Sequence, residues 1–164
     1  MAAVLYSGLA ENFNADVEII NTHSNRLCAV HVTNDSINLV LISVHMPCES
    51  SDIAFDEFCT VLAQIVDIFD LFHYAKIIIG GDFNTDFTRN TTHSNFVRSF
   101  CDSHKLCSLT SHNANSVDYT YNFCMQRFSL IDHFITSAYY HSHVFVMTFC
   151  MRLTTVLITI LSDL

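Results

Sequence analysis

The sequence predicts an α/β domain, and three observations predict it. Ile37–His45, INLVLISVH, is an almost unbroken apolar run, the pattern of a strand buried on both faces. An apolar stripe at helical spacing follows it, and a second β-branched run, Ile77–Ile79, follows the stripe. A strand, a helix and a strand in that order make a crossover, which sets the two strands parallel in one sheet.

Taken in order, Asp16–Thr22, DVEIINT, alternates and reads as a strand. Leu27–Thr33 reads as a second, with Ser24–Asn25–Arg26 as the turn between them. Asn34–Asp35–Ser36 is the next turn, and Ile37–His45 the third strand. Pro47 has no backbone N–H to donate, so ladder pairing stops beside it. Short polar turns between these strands predict an antiparallel meander. Ser50, Ser51 and Asp52 are N-cap residue types. After them Phe55, Phe58, Leu62, Ile65, Phe69 and Phe72 form one stripe, with Asp56, Glu57, Gln64 and Asp67 on other faces. Such a stripe is core packing.

Lys76–Phe87, KIIIGGDFNTDF, then gives a short strand. Gly80–Gly81 is expected to form a tight turn that holds Asp82 and Asn84 side by side at the sheet rim. Open α/β sheets bind ligands beyond the carboxyl ends of their strands. His45, Asp82 and Asn84 are therefore predicted to converge.

Beyond a polar loop at Arg89–His93, Ser94–His104 reads as a helix with Phe96, Val97 and Phe100 inward. Leu106–Leu109 is a short strand and Thr110–Val117 a polar loop. Tyr119–Phe123 and Leu130–Thr136 are strands with a turn near Met125–Arg127. Asp132 is an acid in an apolar strand, and a buried acid needs a partner. The apolar run Val144–Leu161 has the length of a membrane span. Arg152 inside it is costly there, so two core strands, around Val144–Phe149 and Thr155–Ile160, are predicted instead.

The 164 residues suffice for one domain with a core. With 51% hydrophobic and 14% charged residues, the chain is not of the disordered class. Seven cysteines, an odd number without C-x-x-C spacing, predict a reducing, intracellular setting with neither disulfides nor a zinc site. His141 and His143 read as a solvated turn. The N-terminus lacks the basic segment of a signal peptide. Net charge is −9, and the seven basic residues are dispersed. Charge alone thus argues against general polyanion binding, while a patch assembled in three dimensions stays open.

The order VHMP, IIIGGDFN, DYTY, SLIDHFITS resembles the endonuclease/exonuclease/phosphatase superfamily, in particular the apurinic-type endonuclease domain of non-LTR retrotransposons. The resemblance runs from about Val17 through Ser137. It implies a four-layered α/β sandwich, two mixed β-sheets face to face with helices outside. It also implies hydrolysis of phosphodiester or phosphomonoester bonds with Mg²⁺ and a water nucleophile, DNA as partner, and a nuclear location; that no membrane is expected rests instead on Arg152 within Val144–Leu161. By resemblance, Asp82 matches the carboxylate that orients and deprotonates the attacking water. Asn84 matches the amide that donates to a phosphate oxygen. Asp132 matches the acid that hydrogen-bonds a catalytic histidine. Thr120 stands at a strand position near the substrate. His45 takes the place of a tyrosine in a V-Y-x-P segment and keeps a donor for phosphate.

The same resemblance makes residues 1–164 a single domain of this kind, lacking the first strands and the final one. The family's metal ligands on those first strands, an Asn and a Glu, have no counterpart, because Asp16–Thr22 matches a later strand. Ser162–Asp163 matches the start of a closing Ser-Asp-His, with Leu164 where the histidine stands. Asp163 is the candidate metal ligand. His133 is not a substitute for that histidine, since neighbouring strand residues point to opposite faces. Three readings follow: a Mg²⁺-dependent DNA endonuclease of retrotransposon origin, a phosphatase of the same superfamily, and a catalytically inactive remnant. The missing strands favour the last.

Overall fold

A computed structural model describes residues 14–48, 52–108, 119–123, 127–137, 145–150 and 155–160. Its main sheet has six strands in the order β1-β2-β3-β4-β8-β5. They are β1 Asp16–Ile20, β2 Leu27–Thr33, β3 Asn38–His45, β4 Lys76–Asp82, β5 Leu106–Ser108 and β8 Asp132–Ser137. β1, β2 and β3 form the predicted antiparallel meander. β3 and β4 run parallel, joined through helix α1, Asp52–Leu71. β8 lies antiparallel between β4 and β5, so the sheet is mixed. Two hairpins stand apart from it: β6 Tyr121–Phe123 with β7 Arg127–Ser129, and β9 Phe145–Cys150 with β10 Thr155–Ile160. The run at Val144–Leu161 therefore holds two strands, and no described helix is long and apolar enough to cross a membrane.

The core forms where the stripe of α1 meets one face of the sheet. Phe58, Leu62, Ile65 and Phe69 are buried in one cluster with Val40, Ile42 and Val44 of β3 and Ile77 and Ile79 of β4. Alternate strand residues share a face, so Leu39, Ile78, Phe134 and Thr136 lie on the opposite face. They are buried too, outside the helix-side cluster. Burial on both faces is what the nearly continuous apolar run of β3 requires.

Helix α2, Thr92–Ser103, starts two residues before the predicted Ser94. Thr91 and Ser94 form a reciprocal capping box, the Thr91 hydroxyl accepting from the Ser94 N–H at 3.2 Å and the Ser94 hydroxyl from the Thr91 N–H at 2.9 Å. Ser94 is thus a capping residue inside the first turn. Its buried face is His93, Val97, Phe100 and Cys101. Phe96, predicted inward, is 40% exposed and makes an edge contact with Phe55. Burial holds the Cys101 thiol protonated, pushing its pKa up to about 12. Cys28 and Cys48 are exposed thiols and not core residues.

The glycine pair is a correction of another kind. Gly80 and Gly81 do not form the turn; β4 runs through both and ends at Asp82. A Cβ on Gly80 would land on the Phe134 ring. Gly81 has φ of 145°, and a Cβ there would strike the Val44 backbone carbonyl. The glycines let β4 approach its neighbours closely. The turn comes later, at Asn84, which carries a φ of 49°, a conformation asparagine tolerates better than most residues. The Thr110–Val117 loop, the turn at Met125, His141, His143 and Asp163 lie outside the described residues.

These contacts rank two substitutions. Gly81→Ala meets rigid backbone at a φ that side chains avoid and is expected to cost about 3 kcal/mol or more. Gly80→Ala meets a ring that can shift and is expected to cost about 1 kcal/mol. Urea-unfolding midpoints measure both, and equal losses would contradict the assignment of the close backbone approach to Gly81.

Candidate active site

The site is built at the carboxyl end of the parallel pair. Register sets His45 of β3 beside Asp82 of β4, and Asp82 opposite Asp132 of β8. Cross-strand partners point to the same face, with Cβ atoms about 4.5–5.5 Å apart in antiparallel pairs. The three residues therefore form one row across three strands, on the face away from α1. The predicted convergence of His45, Asp82 and Asn84 is present, and Asp132 joins it from a strand far along the chain.

Local geometry fixes each member. Asp82 Oδ1 accepts the Asn84 N–H at 2.8 Å, an Asx turn that closes the end of β4. Asp82 Oδ2 lies 4.0 Å from His45 Nε2. The Asn84 amide is oriented from both ends. Its Nδ2 donates to the Met46 carbonyl at 2.8 Å, and its Oδ1 accepts from Cys48 Sγ at 3.4 Å. An amide nitrogen has two hydrogens, so this bond leaves one for another acceptor.

Asp132 is half-buried at the start of β8. Burial raises its pKa above the ordinary value; the charge of Asp82 adds to the rise, and a Thr120 side-chain hydrogen bond opposes it. Thr120 itself stands at a bend just before β6, not within a strand. Its hydroxyl accepts from the Ile131 and Asp132 N–H groups at 3.0 and 3.1 Å, so it anchors the backbone that presents Asp132. His133, next to Asp132, turns to the opposite face. It is buried, stacked on Phe87 with ring centroids 3.5 Å apart, and bonds the Thr85 carbonyl through Nε2 at 2.9 Å. Burial lowers its pKa to about 4.

Several contributors went unread in the sequence. Asp86 ties the Asn84 turn to the chain before β8. Its carboxylate accepts from the Thr88 N–H and hydroxyl at 3.0 and 2.6 Å and from the Leu130 N–H at 3.4 Å, and it pairs with Arg89 at 3.1 Å. Burial works to raise its pKa, but these hydrogen bonds outweigh burial and hold the carboxyl below the usual range. Arg26 lies beside His45 and is paired with Glu57 of α1. Counting register back from the turn between β2 and β3 would have placed Arg26 there. Cys48 had no local signal.

The combination of a mixed sheet, a β3-α1-β4 crossover and this row can be set beside known structures. The chain matches the endonuclease domain of TRAS1, a telomere-specific non-LTR retrotransposon, at a TM-score of 0.65 and 14% identity, over 87% of this chain and 64% of that one. The chain has the endonuclease/exonuclease/phosphatase fold. The same fold aligns it with the 3′ phosphatase NExo from Neisseria bound to product DNA hairpin, at TM-score 0.57 and 15% identity, over 81% of this chain and 61% of the other. It aligns with the human Nocturnin catalytic domain with bound sulfate at 0.50 and 14%, over 80% and 50%. The chain thus spans less than two thirds of the length of each of these. No family profile and no curated protein sequence matches it.

Within this fold, Asp82 and Asp132 supply hard oxygen donors, the kind that Mg²⁺ takes, often with only one or two carboxylates alongside water and substrate phosphate. The donors fit the ion in kind. Among the described residues no group of three or more His, Cys, Asp or Glu side chains is placed to hold a metal.

Two predictions follow from the shifted groups. His133 ordinarily titrates at 6.5 and here at about 4, so the folded state binds its proton less readily than the unfolded chain does. Its contribution is complete above pH 6.5 and lost as pH falls toward 4, at ~1.36 kcal/mol per unit about 3 kcal/mol in all. Thermal melts of His133→Gln across that range should lose the corresponding acid sensitivity. Asp132 has the opposite linkage. Its raised pKa means stability declines as pH rises above the ordinary 3.8. Asp132→Asn should melt higher than the wild type at neutral pH; an unchanged or lower melting temperature would reject the burial argument.

Proposed function

We propose that this chain is a phosphodiester hydrolase acting on DNA, with the row His45–Asp82–Asp132 and Asn84 as its reacting edge. The observation that carries the reading is the register, which brings two carboxylates and a histidine into one row beside an amide of fixed orientation. Likeness in fold to an endonuclease domain and to a phosphatase bound to a DNA product supports it.

Asp82 is the general base. One carboxylate oxygen is committed to the Asn84 N–H, which leaves Oδ2 to orient a water and take its proton as the water attacks phosphorus. Asn84 uses its remaining Nδ2 hydrogen on a non-bridging phosphate oxygen, where charge grows in the transition state. Rotation of the amide would put Oδ1 toward the phosphate and repel it; the Met46 carbonyl and the Cys48 thiol oppose that rotation. His45 adds a second donor to the phosphate. Thr120 holds the Asp132 backbone, and with it the carboxyl that stands opposite Asp82. Mg²⁺, bound through Asp82 and Asp132, would neutralise phosphate charge and ease release of the alkoxide. Asp163 is proposed as a further ligand by resemblance alone.

Nicking of supercoiled plasmid in Mg²⁺ is the test. Wild-type protein is expected to nick, EDTA to abolish nicking, and Asp82→Ala to lower the rate at least a hundred-fold with the fold intact. Asn84→Ala should lose about a hundred- to a thousand-fold, the usual cost of removing one such donor. Release of phosphate from a 3′-phosphorylated oligonucleotide without nicking would redirect the reading to a phosphatase. Folded protein that does neither is the inactive remnant.

A further inference from the structure

Arg26 stands outside the row yet touches it at three points. The His45 N–H donates to the Arg26 carbonyl at 3.0 Å. The Arg26 Nη1 donates to the His45 carbonyl at 3.3 Å and lies 3.4 Å from His45 Nδ1. Its Nε is held by Glu57 Oε1 of α1 at 2.6 Å. The other ring nitrogen of His45, Nε2, faces Asp82 Oδ2 at 4.0 Å.

A guanidinium has N–H donors and no acceptor, and it stays protonated. A ring nitrogen that bonds to it must offer a lone pair. Nδ1 of neutral His45 is then the acceptor, and the ring proton sits on Nε2. We propose that Arg26 is a positioning residue that holds His45 as the Nε2–H tautomer and turns that proton toward Asp82. A separation of 4.0 Å is too long for a direct hydrogen bond. The proton is thus presented to an oxygen that enters beside Asp82. Resting on the hydrolase reading above, that oxygen belongs to the substrate phosphate, and Arg26 specifies the donor that bonds it. Glu57 completes the device from α1: it fixes the guanidinium, and its own acidity is strengthened chiefly by the Arg26 hydrogen bond.

The arrangement is particular to a histidine at position 45. A phenol has one donor whatever lies behind it, whereas an imidazole must be told which nitrogen carries the proton. Arg26 supplies that instruction from the bend just before β2.

The test is long-range ¹H–¹⁵N correlation of the histidine rings in full-length, ¹⁵N-labelled protein at mildly alkaline pH, with His45 assigned by its loss in His45→Gln. Wild-type His45 should show an unprotonated Nδ1 and a protonated Nε2, widely separated in shift. In Arg26→Met the two ring shifts should move toward each other as the Nδ1–H form enters, and Arg26→Lys, which keeps a permanent donor, should restore the separation at least in part. Glu57→Gln, which loosens the guanidinium without removing it, should give a smaller movement in the same direction and serves if Arg26→Met does not fold. A wild-type Nδ1–H ring, or ring shifts indifferent to Arg26→Met and Glu57→Gln, overturns the proposal. No turnover is needed for this readout. A protein with the expected tautomer that fails to nick DNA rejects the hydrolase reading and leaves the role of Arg26 standing.

Discussion

The close approach of β4 to β3 at Gly81 is the constraint on which the rest depends. With the Val44 carbonyl lying where a side chain would be, the parallel ladder continues to the last residue of each strand. His45 and Asp82 end side by side because nothing pushes the strands apart one residue earlier. Gly80 does the same toward β8, leaving room for the Phe134 ring and letting Asp132 draw up opposite Asp82. A reacting edge across three strands needs close packing on both sides of the middle one, and two adjacent glycines provide it.

The two faces of the sheet divide the work. The helix-side face is a packed apolar cluster, and it also buries His133, which is kept neutral and stacked on Phe87. The other face carries the row of His45, Asp82 and Asp132. Period-two alternation separates Asp132 from His133 by one residue and by the full thickness of the sheet. Adjacent titratable residues thereby acquire opposite roles, one structural and one at the candidate site. The loops finish the site by hydrogen bonding more than by apolar packing. Asp86, Thr120 and the Asn84 turn bind neighbouring backbone, which lets a surface edge hold a defined geometry where little apolar area is available.

Much of the fold was legible because its signals are local. The alternation of β1 and β2, the run of β3 and the stripe of α1 are patterns within a few turns of chain, and crossover logic made β3 and β4 parallel. The candidate residues were legible through a resemblance spread over several short motifs; Asp82 and Asn84 taken singly are ordinary turn residues. The misreadings share one cause. Gly80–Gly81 looks like a turn because glycine is judged by its own backbone freedom, whereas its reason here is the Val44 carbonyl and the Phe134 ring. Phe96 lies at the edge of the stripe whose centre, Val97 and Phe100, is buried as predicted; its ring rests against Phe55 and stays partly exposed, a contact that periodicity does not contain. Thr120 reads as a strand residue, but its hydroxyl is drawn to backbone eleven and twelve residues away.

By itself the sequence determined the order and kind of the main elements, the parallel crossover and the convergence of His45, Asp82 and Asn84. These follow from periodicity, from the proline that ends β3 and from the handed, short connections of α/β chains. Tertiary structure alone decided that Asp132 faces Asp82 and that the Asn84 amide is clamped between Met46 and Cys48. Each of those depends on the register between strands distant in sequence. Register is set by side-chain packing across the sheet, a sum over contacts that no single stretch of chain contains.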